Sequence, residues 1–572
     1  MSKRNKRTRI TKASGEARHS ISASADQADP VVACAGTKAM KWIEAGVTAV
    51  LLLILLALHV IVFQESGALW RDEVNSVNLS ALPSLLDVWE NLQFDSFPML
   101  WLLLLRAWIF MGFGGTDLEL RALGLITGIG TLAALWFAAR SLRVRLPMVS
   151  FVLFAMSSTA FLCDSLRAYG LGVIFILLAL GTMWRVCEDP VPWKMVVSAM
   201  MIILSVQCLY LNSVLVFAIC AGAAAVGLHR RNRNLMIFPL GAGLLAAASL
   251  LPYLGMISGT SDWNIIIKIP VDVPWVLGKF RQAIDPSGSV FVWIWTALWL
   301  LAVASLAFQF FTAAVPGRPE AKRDLSLYLL TTMFVGIIAY AAFIKILSYP
   351  TQSWHYLPVL AVLAVAMDKG IDIVCESKLT LRIVRMILLL GIAAFVFTNA
   401  WNAVHIRKTN MDVLASRLEA LVHKDDLIVV YPFYYGISFS RYYSGSAEWS
   451  TLPEMEDHRV HRYDLFKSRM MESEPLSPLL QRMSRTLREG HRVWLVGGLH
   501  FLRRGEIPRV LPPAPASPYA WSEAAYQSAW SQMAAFTLQT HGNSVERIKI
   551  PLDKPVQPFE DVPLMVVQGW HP

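Results

Sequence analysis

Charge is scarce in this chain. Only 16% of its 572 residues are Asp, Glu, Lys or Arg, where a soluble globule carries roughly a quarter. Hydrophobic residues make up 55%, and mean hydropathy is +0.48. They fall into blocks separated by short basic or Trp/Pro-rich segments. That excludes a string of soluble domains and defines a polytopic α-helical membrane protein, whose 20 Trp, 15 Tyr and 29 Pro suit interfaces and helix ends. Cysteine is sparse as well. The six, at 34, 163, 187, 208, 220 and 375, form no CxxC and lie mostly in apolar stretches, so they read as small hydrophobes, and the tail has no disulfide. Zinc-ligand spacing, RNA-binding aromatics, a basic recognition helix, a Gly-rich phosphate loop and internal repeats are all missing. No nucleic acid is expected as a partner. The net charge of +10 reflects instead the positive-inside bias and attraction to anionic lipid headgroups.

What is present has a clear order. Residues 1–41, opening KRNKRTR (3–9), read as a disordered cytoplasmic N-terminus, too long and polar for a cleaved signal. The run from Ile43 to about Val62 spans as a signal anchor. Further apolar runs occupy roughly 121–139, 147–163, 170–187, 195–210, 211–228, 235–252, 291–314, 327–347, 354–368 and 386–402. The short run 97–111 contains Arg106. A full crossing there would put the basic loop Arg140–Arg145 outside, so it is expected to lie at the outer interface or re-enter. The connectors 140–145, 229–233, 318–323 and 369–385 then all fall inside, and about 11 transmembrane helices result. The parity turns on a break at Tyr210–Asn212 within 195–228. The transmembrane domain is thus 42–402, with outer loops 63–120 and 253–290, and 403–572 is an extracytoplasmic α/β domain. In that domain LIVVY (427–431), RVWLV (492–496), VERIKI (545–550) and PLMVVQG (563–569) read as strands, and 434–444 as a helix with a tyrosine-rich face.

Four clusters fall on the outer face. Asp72 and Glu73, in ALWRDEVNS, are adjacent carboxylates just past the first span. They suit a metal ligand or a general base, and the apolar boundary is expected to raise a carboxyl pKa there; the plain alternative is a solvated loop. Asp164 and Arg167 lie between two apolar runs, where ionisable groups are costly unless paired or functional. Three apart, they could pair with each other on a helix. The loop 253–290 holds Asp262, Trp263, Lys268, Lys279 and Arg281, and YPTQSWHYLP (349–358) places His355 and Tyr356 at the mouth of a span. Cations beside a membrane-level cavity suit a phosphate carried on lipid, whereas a lone His is an ordinary interface residue. Asp95 and Pro98 read as a helix cap and start.

The order of these motifs resembles the bacterial membrane glycosyltransferases of the GT-C fold, the superfamily of the dolichyl-phosphate-mannose protein mannosyltransferases and the lipid A aminoarabinose transferases. The resemblance rests on Asp72-Glu73 in the first outer loop, on Asp95–Pro98 ahead of an apolar segment, on Asp164 with Arg167-Ala168-Tyr169, and on His355-Tyr356-Leu357-Pro358 opening a late span. It covers about 43–402. Many members have His or Lys before the first-loop proline, where this chain has Phe97. The resemblance implies a polyprenyl-phosphate sugar donor, an envelope glycan, lipid or protein as acceptor, and inverting transfer at the outer face of the inner membrane. Asp72 is expected as the base, with Asp164 competing. Glu73 would orient the acceptor or complete a metal shell with Asp72 around a divalent cation, Mg2+ or Mn2+. Arg167, Lys268 and His355 are expected at the donor phosphate, and Tyr169 and Tyr356 as positioning residues. Two other readings fit the same sequence: a transporter or flippase of lipid-linked glycans, and a non-catalytic envelope assembly protein using its aromatic tail for binding.

Overall fold

The computed structural model describes residues 30–572 apart from 96, 259–270, 286–289, 313–319, 349–350, 377 and 517–521, with side chains from residue 38 on. Lys268, Asp262 and Trp263 lie outside the described residues. The chain is a multi-pass, mostly α-helical membrane protein with a C-terminal mixed β-sheet domain.

Eight helices among the described residues are long and apolar enough to cross a membrane. They include α1 (Pro30–Glu65), α5 (Asp117–Ser141), α6 (Tyr169–Glu188), α8 (Asn212–His229) and α9 (Arg233–Ser249, continuing to Ser258). The others are α11 (Val290–Thr312), α12 (Glu320–Leu347) and α14 (Leu379–Val404). Helix α1 begins well before residue 42, because nothing in VVACAGTKAM breaks a helix. The three remaining predicted spans depart from this pattern for separate reasons. The run 147–163 is no continuous helix: a turn at Met148–Ser150 passes into a π-type turn, Phe151–Ala155, and a 3-10 turn, Ala160–Asp164. It lies buried among other helices, where irregular backbone is tolerated, and Asp368 accepts hydrogen bonds from the Val149 and Ser150 amides at 2.8 and 3.0 Å. Helix α7 (Pro192–Cys208) is short, and the chain breaks between Cys208 and Asn212 before α8. Helix α13 (Leu357–Cys375) carries Asp368, Lys369 and Asp372 in its second half.

Between α1 and α5 lie three shorter helices, α2 (Arg71–Ser80), α3 (Leu85–Glu90) and α4 (Met99–Phe110). The twelve residues of α4 span about 18 Å, short of the roughly 30 Å hydrocarbon core. Its buried Arg106 donates to the carbonyls of Ser80, Leu82 and Pro83, capping the C-terminal end of α2. Helix α10 (Val273–Ile284) turns Val276, Phe280 and Ile284 towards an apolar cavity.

The basic connectors gather at one end of the bundle. There Arg145 reaches the Lys41 carbonyl, Arg143 pairs with Glu188, and Arg230 with Asp324 at 2.7 Å. Lys322 meets Glu376, Arg385 meets Asp372, and Arg382 and Arg385 both hold Glu44. The C-terminal domain sits at the other end. Its five-stranded sheet has the order β2-β1-β3-β5-β4, with β1 (Leu427–Val430) parallel to β2 (Glu448–Thr451) and β3 (Val493–Val496). Strand β5 (Leu564–Gln568) is antiparallel to β3 and β4 (Ser544–Ile548). Both faces of β1 and β3 are covered by helices, which explains their unbroken apolar runs.

Candidate functional site

Asp72 and Glu73 both lie in the first turn of α2, yet they face opposite ways, because successive helical residues are about 100° apart. Glu73 is fully buried. One oxygen accepts from the Leu166 amide at 3.0 Å; the other takes Arg121 Nη2 at 3.3 Å and the Trp70 amide at 3.4 Å. It ties α2 to α5 and to the chain around Leu166, so it is not placed to orient an acceptor or share a metal shell with Asp72. The Asp72 side chain stays 24% exposed, with Oδ1 3.2 Å from His461 Nε2 and 3.5 Å from Arg71 Nε. Burial would raise its carboxyl. The His461 hydrogen bond and the charges of Arg71 and Arg167 outweigh that and hold it far below the usual carboxylate range. The raised value expected from the sequence is therefore reversed, for Arg167 and His461 arrive from distant parts of the chain and join the adjacent Arg71 around the carboxylate.

Asp164 and Arg167 do not pair with each other, because Ser165–Ala168 leaves the helical path. Asp164 instead holds His59 Nδ1, at 2.8 and 3.0 Å, across from α1. Two glycines of α5 make room: a Cβ on Gly128 would fall 1.5 Å from Asp164 Oδ1, and one on Gly124 2.1 Å from the Asp164 carbonyl oxygen. With its carboxylate committed to His59, Asp164 is poorly placed as a base. Arg167 Nη1 contacts Asp95 Oδ1 at 2.9 Å, Ser76 Oγ at 2.8 Å and the Asp72 carbonyl at 2.9 Å, and the guanidinium stacks on Phe97 at 4.4 Å. Asp95 is thus the partner of Arg167 as well as an end-of-turn residue. Arg167 Nε is buried and lacks an acceptor.

Tyr169 bridges this centre to the late motif. Its ring lies 5.1 Å from Phe97, 6.3 Å from Trp354 and 6.0 Å from His355. His355 sits in the turn ahead of α13, where its Nδ1 meets the Gln352 amide at 2.9 Å. Packing around the ring pushes its pKa down to about 4, so at neutral pH it offers a hydrogen bond and not the charge expected of a phosphate ligand. Tyr356 packs on Phe280 and Tyr340, its hydroxyl 3.0 Å from Thr351 Oγ1. It forms one wall of an apolar cavity of about 400 Å³ between α10, α11, α12 and α13, which Arg281 also lines.

The C-terminal domain supplies groups that the sequence reading missed. His461 donates its amide to Asn75 Oδ1 at 2.9 Å and presents Nε2 to Asp72, while its buried Nδ1 has no partner. Glu560, fully buried, accepts from the Arg71 amide at 2.9 Å and from Thr409 Oγ1 at 3.1 Å. Phe559 packs on Trp70 and Trp354, Lys554 pairs with Glu65, and Arg441 and Tyr442 both hold Asp117. Lys408 and Gln557 join Trp70, Leu162, Ser165, Arg167, Tyr169 and Trp354 around a narrow second cavity. Among the described residues no group of three or more His, Cys, Asp or Glu could hold a metal ion. Cations surround Asp72, so the residues here do not fit a resident divalent metal.

No family model matches the chain, and no curated protein matches it. Solved structures do. The apo oligosaccharyltransferase of Archaeoglobus fulgidus is 10% identical over 79% of this chain and 69% of its own, with a TM-score of 0.46. ArnT from Cupriavidus metallidurans bound to undecaprenyl phosphate is 12% identical over 79% of this chain and 93% of its own, with a TM-score of 0.41.

Proposed function

We propose that this protein transfers a sugar from a polyprenyl-phosphate-linked donor to a cell-envelope acceptor at the outer face of the inner membrane. One juxtaposition carries the reading. An apolar groove open between membrane helices ends at Tyr356, whose neighbours lead through His355 and Tyr169 to buried Arg167 and the ionised, partly exposed Asp72. A lipid-linked phosphosugar needs that sequence of environments: a dry groove for the chain, a cation at the phosphate, and a carboxylate where the acceptor arrives. The orientation is supported by the basic connectors, which share one end, the end that the positive-inside bias assigns to the cytoplasm. Eleven crossings result if the buried run 147–164, α7 and α13 are counted with the eight long helices.

In this mechanism the acceptor hydroxyl donates a hydrogen bond to Asp72. Its oxygen attacks the anomeric carbon opposite the phosphate. The carbon–oxygen bond to phosphate breaks with its electron pair going to the phosphate oxygen, the hydroxyl proton passes to Asp72, and the configuration inverts. A carboxylate held far below its usual pKa is a weak base at rest, so the transfer comes late, as the attacking oxygen loses electron density. Arg167 steadies the leaving phosphate. The test is intact-lipid mass spectrometry of host membranes with the native gene, without it, and with Asp72→Asn. A polyprenyl-phosphate sugar accumulating in both perturbed strains, while one glycoconjugate loses the same sugar mass, is the expected result. Unchanged glycoconjugates in both overturn the reading.

A further inference from the structure

Resting on the donor reading above, we propose that Lys408, at the root of the C-terminal domain, forms with Arg167 a two-cation site for the phosphate of the lipid-linked donor. The domain is then part of the donor site. The backbone at this point is held from three sides: the Lys408 amide donates to the Ser66 carbonyl at 2.9 Å, the Arg407 amide to the Pro555 carbonyl at 3.0 Å, and the Gln557 amide to the Arg407 carbonyl at 3.0 Å. Ser66 leads into a turn at Gly67, whose φ of +67° favours glycine and which lies against the Arg407 guanidinium. These contacts direct the Lys408 side chain into the narrow cavity it lines with Arg167.

Its Nζ has no hydrogen-bond or ion-pair partner among the described residues. The carboxylates whose fields reach it, Glu73 and Asp164, are already held by Arg121 and His59. Burial pulls the Lys408 ammonium below the ordinary lysine range, the condition of a cation short of solvation that an arriving anion relieves. Across the same cavity Arg167 spends Nη1 on three acceptors and leaves its buried Nε–H without one. Arg167 and Lys408, each with an under-satisfied donor, line one space of about 10 Å³, room for a single water in this conformation, so a phosphate enters as the lining side chains part and its several anionic oxygens then answer both cations. The indoles of Trp70 and Trp354 complete the wall and give a spectroscopic readout.

The test uses the full-length protein in detergent micelles, titrated with undecaprenyl phosphate, undecaprenol and inorganic phosphate while tryptophan fluorescence is followed. Wild type is expected to bind undecaprenyl phosphate, Lys408→Gln to bind it about 10- to 100-fold more weakly, and Lys408→Arg to recover most of the loss. Undecaprenol affinity should be the same in all three. Equal affinity of wild type and Lys408→Gln for undecaprenyl phosphate overturns the Lys408 assignment and leaves the transferase reading intact. A wild type that binds no undecaprenyl phosphate sinks that reading itself. Inorganic phosphate binding as tightly as the lipid would make this a free-anion site and overturn the donor assignment. A second measurement needs no variant: Lys408 acylation by an amine-reactive ester should be blocked by undecaprenyl phosphate and not by undecaprenol. Equal labelling with both overturns the proposal.

Discussion

Neighbouring carboxylates on α2 should fail in opposite ways when neutralised. Glu73→Ala leaves the Arg121 guanidinium, whose side chain is only 4% exposed, without its carboxylate, and leaves the Leu166 amide without an acceptor. Arg121 keeps the carbonyls of Gly67 and Ala68 at 2.8 and 2.6 Å, which softens the loss of an ion pair. Adding a stranded buried amide to a weakened buried cation gives a cost of about 3–5 kcal/mol. Glu73→Gln keeps the shape and one acceptor, so its cost should be roughly half as large. Asp72→Asn removes a partly exposed charge that His461 and Arg71 also touch, a loss of about 1 kcal/mol, but it should slow transfer about 10²- to 10⁴-fold. The assay is the fraction of monodisperse protein by size exclusion after heating in detergent, paired with transfer measured on the undamaged fraction. A Glu73→Ala protein that melts with wild type would refute the reasoning. So would a Glu73→Gln protein that is fully stable yet as inactive as Asp72→Asn, because Glu73 would then be acting on substrate.

Glu560 is pushed up to about 7 by burial, against the opposing pull of Arg71 and its hydrogen bonds. A raised carboxyl pKa means that the folded state prefers the proton, so this stabilisation is present below the ordinary value of 4.5 and is lost as pH rises through about 7. Thermal stability should therefore fall between pH 5 and 8 by up to about 3 kcal/mol from this group, and Glu560→Gln should flatten that part of the profile; an unchanged slope contradicts the assignment. Gly128→Ala would drive a methyl into Asp164 and His59. It should cost at least 1–3 kcal/mol and abolish transfer by displacing Arg167, and a normally stable, active Gly128→Ala protein would count against the packing described. Ala341→Trp should fill part of the apolar cavity and weaken undecaprenol binding by about tenfold or more while leaving the melting temperature near wild type; unaltered binding would place the lipid chain elsewhere.

Elements built on local pattern were legible in the sequence. Four of the five strands and the tyrosine-faced helix α15 (Tyr435–Tyr442) fall where apolar runs and turn residues put them. The missed strand, β2, is the four residues EWST at the sheet edge, half exposed and with no apolar run to announce it. Pairings across long sequence separations were not legible. Asp164 finds His59, 105 positions away, and Asp72 finds His461, 389 positions away. His59 did carry a signal, as an ionisable residue inside an otherwise apolar span. Lys408 and His461 carried none that separates them from the many basic residues of a water-facing tail.

The charges around the centre sort themselves by whether they are already answered. Arg121 answers Glu73, Arg167 answers Asp95, His59 answers Asp164, and the Arg71 amide answers Glu560. Such buried pairs give little net stability, because desolvation cancels most of the attraction. They do fix where the turn 164–169 and the first turn of α2 sit relative to one another. Against that background Asp72, touched by Arg71 and His461, is the carboxylate left partly exposed, and Lys408 is the cation whose ammonium meets no carboxylate among the described residues. A site assembled this way carries one anion towards the acceptor and one unanswered cation towards the donor. The two come from different domains, so undocking the tail should remove the phosphate ligand and the His461 contact to Asp72 together. Separating the domains, and not merely deleting one side chain, is then the perturbation expected to remove both halves of the chemistry at once.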